Sequence, residues 1–271
     1  MMKRICECYF SPCGNVKKAV ESIGEKLSKE LSLEVSVFDF TLPKDRENGL
    51  SFSKDDIVVI GCPVYAGRVP NKLLPYIREM IKGDGSKCVS VVCYGNRSFD
   101  NALSELSGLM QDNGMKVIGG CAVVSEHSFA PSLASNRPDE EDILELQNFA
   151  SSIGRKISSQ DDSLPDIPGE YPPEKYYTPL KEDGTPAVFL KAVPKILSKK
   201  CISCGRCASV CPMGSINVEP PFDTTGICIK CQACIKACPT SSRYFDNGDF
   251  LSHKAMLMSN FSGKRKAEFF L

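Results

Sequence analysis

The chain has 271 residues, 42 % of them apolar, so about two units with a real buried core are expected. Its 33 Lys and Arg offset 33 Asp and Glu, and a formal net charge of zero argues against a nucleic-acid partner or a polybasic membrane anchor. No stretch nears the roughly 18 uninterrupted apolar residues of a membrane helix, and Glu7 breaks the opening run, which does not read as a signal peptide.

Up to residue 158, short apolar runs alternate with helical patterns. Residues 4–9, 33–38, 56–61, 87–94 and 116–124 are rich in Val, Ile and aromatic residues and read as strands. Residues 16–31, 72–82, 100–112 and 140–157 read as amphipathic helices. In the first of these, Val16, Val20, Ile23, Leu27 and Leu31 fall at helical spacing with Lys and Glu opposite. Pro138, Asp139 and Glu140 supply a start signal for the last. Strands alternating with helices imply parallel βαβ units, hence an α/β doubly wound parallel sheet over residues 1–158. Residues 40–54 carry no clear helix, so the second crossover has no predicted form.

Composition changes near Ser158. Residues 159–198 hold seven prolines and seven acidic residues, which predicts an extended, semi-rigid strap and not a domain. Within it Tyr171, Tyr176, Tyr177, Phe189 and Leu190 predict packing against a surface. Residues 199–247 then form a small cysteine-rich α+β unit. Residues 248–271 are a tail whose apolar end, Ala267 to Leu271, is expected to dock on the protein.

Eight of the fifteen cysteines fall in two copies of one run. These are Cys201-x-x-Cys204-x-x-Cys207-x-x-x-Cys211-Pro212 and Cys228-x-x-Cys231-x-x-Cys234-x-x-x-Cys238-Pro239. This is the known spacing of bacterial two-cluster 4Fe–4S ligation. Three thiolates two residues apart wrap one face of a cubane, and the fourth, followed by proline, swings to the other cluster. The pattern assigns Cys201, Cys204, Cys207 and Cys238 to one cluster, and Cys228, Cys231, Cys234 and Cys211 to the second. Zinc knuckles and disulfides are the bland alternatives. Zinc sites, however, pair two-residue spacings with distant Cys or His, not four cysteines in one run, twice.

Residues 199–247 carry six Lys or Arg and three Asp or Glu. Two oxidised clusters of about −2 each bring the loaded unit to roughly −1. Lys199, Lys200, Arg206, Lys230 and Lys236 therefore read as local neutralisation. The other seven cysteines, Cys6, Cys8, Cys13, Cys62, Cys88, Cys93 and Cys121, lie on or beside strand-like segments and read as reduced core thiols. A reducing, low-oxygen cytoplasm fits the inventory.

Ligands of open α/β sheets bind at the carboxyl ends of the strands. Residues 10–16, 61–70 and 93–99 fall there. The first, Phe-Ser-Pro-Cys-Gly-Asn-Val, opens a helix and presents backbone N–H groups to an anion. The other two each hold glycine and a tyrosine, Tyr65 and Tyr94, able to flank a flat ring. At these residues the N-terminal region resembles a flavodoxin. The order of the two units resembles the EFR1-type ferredoxin family of anaerobes, small flavodoxin–ferredoxin fusions, over nearly the whole chain.

The resemblance implies FMN. Its phosphate would lie at Ser11, Pro12, Cys13, Gly14, Asn15 and Val16, and its ring at Pro63, Val64, Tyr65, Ala66, Gly67, Tyr94, Gly95, Asn96 and Arg97. Ser11, Gly14 and Asn15 match the Ser/Thr-x-Thr-Gly-x-Thr phosphate loop of flavodoxins, but Cys13 and Val16 stand where two threonine hydroxyls would be. Each lost charged hydrogen bond costs about 1.5–3 kcal/mol. Weakened FMN binding is thus expected, with threonine at both positions tightening it. His127, after the fifth strand, is expected to hydrogen-bond or protonate a reduced flavin near neutral pH. Arg68 and Arg97 are expected to offset flavin or phosphate charge. His253, on the tail, reads as structural.

These readings converge on electron transfer between two 4Fe–4S clusters and a flavin, coupling one-electron to two-electron carriers. Redox proteins are the expected partners, with no nucleic acid and no membrane. Two alternatives stand beside it: a flavin-dependent reductase fed by its own clusters, and an iron–sulfur docking or sensor protein with a vestigial flavin site. A concave pocket with convergent polar groups over the ring would favour the reductase. No Gly-x-Gly-x-x-Gly follows a strand, which disfavours direct nicotinamide oxidation.

Overall fold

The computed structural model describes residues 2–271. Its first body contains β1 (Arg4–Tyr9), α1 (Asn15–Leu31), β2 (Glu34–Asp39), β3 (Leu50–Phe52), β4 (Asp56–Pro63) and α2 (Leu74–Met80). β5 (Ile81–Gly83), β6 (Lys87–Tyr94), α3 (Ala102–Asp112), β7 (Lys116–Val124) and α4 (Glu140–Ser158) follow. Five strands lie parallel in the order β7-β6-β4-β1-β2. From β1 the chain steps to β2 on one side, then crosses to β4, β6 and β7 on the other. This is the flavodoxin-like doubly wound order, and it leaves a switch point at the carboxyl ends of β1 and β4.

Strand alternation divides the side chains between two cores. Cys6, Cys8, Val58, Ile60, Cys88, Val92 and Tyr94 pack toward α2 and α3. Ile5, Tyr9, Ile57, Val59, Val89, Val91 and Cys93 pack toward α1 and α4. With helices on both faces, β4 and β6 are buried almost end to end, which explains their unbroken apolar runs. The six thiols on these strands are buried. Burial pushes Cys6 and Cys88 up to about 12, so they act as packing groups.

The segment between β2 and β4 forms no α-helix. It makes a 3-10 turn at Pro43–Arg46, then β3, which pairs with β5 in a separate small sheet. α4 begins at Asp139, whose carboxylate accepts the Asp142 N–H (3.1 Å) while Asp142 accepts the Asp139 N–H (2.9 Å). This reciprocal box satisfies two donors that the helix itself leaves unpaired. Asp139→Ala should cost about 1 kcal/mol, read as a lower denaturation midpoint at unchanged slope. No drop would mean that Arg137, paired with Asp142, holds the turn alone.

From residue 159 the chain runs as a strap over the α3 side. Ile167 packs on the core, the Tyr171 hydroxyl donates to Asp112, and the Tyr176 hydroxyl donates to the Val69 carbonyl (2.9 Å). The Tyr177 N–H donates to the Ala66 carbonyl (2.8 Å).

The cysteine-rich unit follows. It holds β8 (Lys195–Ile196), α5 (Arg206–Ser209), α6 (Ala233–Lys236) and β9 (Arg243–Tyr244), with β8 and β9 antiparallel. Its internal repeat shows in the backbone. Ser203 and Lys230, at matching places in the two runs, have φ of +54° and +61°, and Gly205 and Gln232 have +70° and +68°.

The tail forms α7 (Gly248–Asn260) and β10 (Glu268–Phe270). β10 pairs antiparallel with β7, Phe269 opposite Cys121, and becomes a sixth strand of the main sheet. Among the described residues, no helix is long and apolar enough to cross a membrane.

Candidate functional site

Each cysteine quartet rings one pocket. Cys201, Cys204, Cys207 and Cys238 line the first, with Ile196, Ile202 and Phe222. Cys211, Cys228, Cys231 and Cys234 line the second, with Pro194, Ile216 and Phe245. The last thiol of each run thus lies in the other run's pocket. Amides point at sulfur: Lys230 N–H at Cys228 Sγ (3.4 Å), Ser215 N–H at Cys211 Sγ (3.3 Å) and Ser242 N–H at Cys238 Sγ (3.2 Å).

Such donors favour the thiolate that ligation needs. At Cys238 burial opposes ionisation, but bonds from Ser242 and Thr240 outweigh it and bring the thiol down to about 6. Burial pushes Cys234 up to about 11, so filling the second pocket must release protons. Among the described residues, no group of three or more His, Cys, Asp or Glu is set to hold a single metal ion. Each quartet of thiols lines one small pocket together with apolar side chains, an arrangement that suits a cubane. Cys204 is exposed, whereas Cys231 and Cys234 are buried. The first pocket faces solvent and the second faces inward.

A cavity of about 520 Å³ opens at the switch point of the sheet. Ser11, Pro12, Cys13, Asn15 and Val16 border one end; Pro63, Val64, Tyr65, Ala66 and Gly67 follow, then Tyr94, Gly95, Arg97 and His127. Gly14 caps α1 with φ +89°, a conformation that suits glycine. It does not itself touch the cavity. The N–H groups of Cys13, Asn15 and Val16 find no acceptor among the described residues. Ser11 Oγ accepts the Lys17 N–H (2.9 Å) and keeps its own proton to donate. Free first-turn donors at a helix N-terminus fit a phosphate, even without threonines.

Several expected contacts point elsewhere. Cys13 is not a threonine that has merely lost its hydroxyl: its Sγ donates to the Cys231 carbonyl at 3.0 Å. Val16 is buried against Gly61, where an added Cβ would lie 2.7 Å from the Val16 methyl. Tyr94 borders the cavity, but its ring is 2 % exposed and packs on Phe99, centroids 5.6 Å apart. Asn96 turns away, donating to the Phe261 and Gly263 carbonyls (2.5 and 2.8 Å). Arg68 is paired with buried Glu105 (2.5 Å) and lies over Tyr176, so it does not serve a flavin. Arg97 keeps a wall position, paired with Asp100 and stacked 3.9 Å over the Tyr177 ring.

His127 also changes role. Its Nδ1 accepts the Phe129 N–H (3.1 Å), so the neutral ring carries its proton on Nε2. Burial, then the neighbouring His253, Arg97 and Lys236, lowers its pKa to about 4. At neutral pH it is an uncharged hydrogen-bond donor and not a proton source.

The rest of the wall comes from distant chain. Tyr176, Tyr177 and Phe189 of the strap, Ile227, Cys228 and Cys231 of the cysteine-rich unit, and His253 of α7 close over the cavity. His253 Nδ1 lies 2.8 Å from the Leu180 carbonyl, and its ring stacks on Phe189 at 5.6 Å. The one hint in the sequence was the group of aromatics in an otherwise Pro-rich and acidic strap. Cys228 and Cys231 belong to this wall and to the second thiol pocket at once.

Residues 200–242 match the family described as a 4Fe-4S dicluster domain. Among solved structures, a flavodoxin from the domain Archaea gives a TM-score of 0.43 at 18 % identity, covering 58 % of this chain and 99 % of its own. Oxidised Flavodoxin 2 from Bacillus cereus gives 0.39 at 20 %, covering 56 % and 99 %. Rubredoxin oxygen:oxidoreductase from the anaerobe Desulfovibrio gigas gives 0.38 at 14 %, covering 58 % and 36 %. No curated protein matches the sequence. The fold of the first body rests on its strand order and not on these scores. The chain therefore joins a flavodoxin-like parallel sheet to a segment that matches the 4Fe-4S dicluster family.

Proposed function

We propose that the chain carries electrons between two 4Fe–4S clusters and an FMN seated in the cavity. One observation carries this reading: Cys228 and Cys231 line both the cavity and the second thiol pocket. Bound in these places, the clusters supply one-electron steps and the flavin stores one or two electrons. The chain's own residues do the rest. The solvent-facing quartet around exposed Cys204 is the port for a redox protein. The inward quartet is the thiol ring that touches the cavity. Ser11 and the free amides of Cys13, Asn15 and Val16 would hold the phosphate, and His127 would offer its Nε2–H to the ring. Tyr177, Phe189 and His253 roof the cavity against water.

Rapid reduction of the clusters, followed through flavin absorbance, tests the conduit. Flavin reduction should be first-order and independent of protein concentration, because both partners ride on one chain. Second-order behaviour would mean that each unit serves its own partner. The loaded protein should also contain about eight iron and eight sulfide. Failure to take up FMN would favour the vestigial reading.

A flavin-dependent reductase draws support from one feature. The cavity is concave, and its exposed wall residues, Asn71, Lys72, Leu190 and Ile227, mark a mouth to solvent. Saturable reduction of a small organic acceptor, blocked by Leu190→Trp, would favour that reading over a pure carrier.

A further inference from the structure

Cys13 occupies a phosphate-loop position, yet its thiol serves the seam between the two units. The bond from its Sγ to the Cys231 carbonyl joins residues 218 positions apart. Cys13 borders the cavity, and Cys231 borders both the cavity and the inward thiol pocket. A single hydrogen bond therefore ties the loop beneath a flavin phosphate to a cluster-holding residue. Two other contacts fasten the same seam independently. Arg46 donates to the Pro212 carbonyl (2.5 Å), next to Cys211, and Lys236 pairs with Glu126 (2.7 Å), next to His127. Tyr65 lines the same cavity as Cys13, Cys228 and Cys231.

We propose that Cys13 is a positioning residue for electron transfer between the inward cluster and the flavin, holding the Cys231 loop in register with the phosphate loop. This rests on the electron-transfer reading above and adds to it the residue that sets the gap. One electron leaves the cluster and one enters the flavin; Cys13 itself is neither oxidised nor reduced. Tunnelling falls steeply with distance, and a hydrogen bond across a non-bonded seam both shortens the route and limits its fluctuation. Without the thiol, the Cys231 carbonyl is left unpaired in a buried place, so its loop must shift to find a donor. What orders one side of the seam also orders the other. By reciprocity, a filled inward pocket favours FMN and bound FMN protects the inward cluster.

The test compares Cys13→Ala, which removes the donor, with Cys13→Ser, which keeps one. The Arg46 and Lys236 contacts remain in both variants, so the units stay docked. In fully loaded protein, Cys13→Ala should slow cluster-to-flavin transfer by about tenfold or more, and Cys13→Ser should restore most of the rate. A second readout needs no flavin: the rate at which a chelator draws out iron. Cys13→Ala should speed the loss of half of the iron, that of the inward cluster, and leave the solvent-facing half unchanged. If no variant takes up FMN, the electron-transfer reading falls while iron release still decides the junction. Parent-like transfer together with parent-like iron release in Cys13→Ala overturns the proposal. So does Cys13→Thr with tighter FMN binding and unchanged iron release, because position 13 would then serve the phosphate after all.

Discussion

Cys211→Ala should empty the inward pocket and leave the solvent-facing cluster in place. Cys211 closes the first run in sequence, yet it shares a pocket with Cys228, Cys231 and Cys234. Iron should fall from about eight to about four per chain, and the surviving cluster should keep its spectroscopic signature. Flavin reduction by internal electrons should stop altogether, because the inward ring is the one that shares a wall with the cavity. Cys204→Ala makes the complementary case: it should spare the inward cluster and slow electron exchange with an external redox protein, the role proposed for the exposed Cys204 face. If Cys211→Ala instead emptied the pocket of Cys201, Cys204 and Cys207, the pairing of runs would be reversed.

Glu7 should make stability depend on pH. It sits in β1 at 2 % exposure, and its Oε1 has no hydrogen-bond partner. Gly24 of α1 leaves room for it; a Cβ added there would overlap the Glu7 carboxyl. Burial, then the nearby charges of Glu21 and Glu25, raises its pKa from 4.5 to about 7. Between these values only the unfolded chain gives up the proton. The stability contributed by the neutral carboxyl is therefore complete below pH 4.5 and is lost as pH rises through 7. Glu7→Gln keeps the shape but does not titrate. Relative to the parent, the variant should gain about 2–3 kcal/mol between pH 4 and pH 8, measured by denaturant unfolding. A difference that stays flat with pH would show that Glu7 ionises as freely in the fold as outside it.

What could be read from the sequence depended on the range of the interactions that decide it. Hydrophobic periodicity places β1, β4, β6, β7, α1, α3 and α4 within a few residues of their observed bounds, because each buries a face against its immediate neighbours. The parallel topology then gathers the strand-end loops carrying Ser11, Tyr65, Gly95 and His127 around one cavity. Tyr94, expected at a flavin ring, lies in the core, and that placement was legible but misread: Cys88, Val92 and Tyr94 share the face of β6 that belongs to the core. Asn96 and Cys13 were not legible. Their partners lie 165 and 218 positions away, and no local pattern encodes such a meeting. β10 escaped for a similar reason. Three residues make no period, and the strand exists because the edge of β7 offers it hydrogen bonds.

The cysteine-rich unit is held fore and aft. The strap before it is bonded to the first body through Tyr176 and Tyr177, and the chain after it returns as β10 to pair with β7. A unit hung on one tether must find its dock by diffusion before each event, and such a search slows in thick solvent. This one has nothing to search for. Glycerol or sucrose should leave the internal transfer rate almost unchanged, while slowing the arrival of an external partner at the Cys204 face in proportion to viscosity. On the proposed electron-transfer reading, the molecule would then be a fixed junction with one diffusive contact, its throughput at saturating partner set by wiring, not by motion.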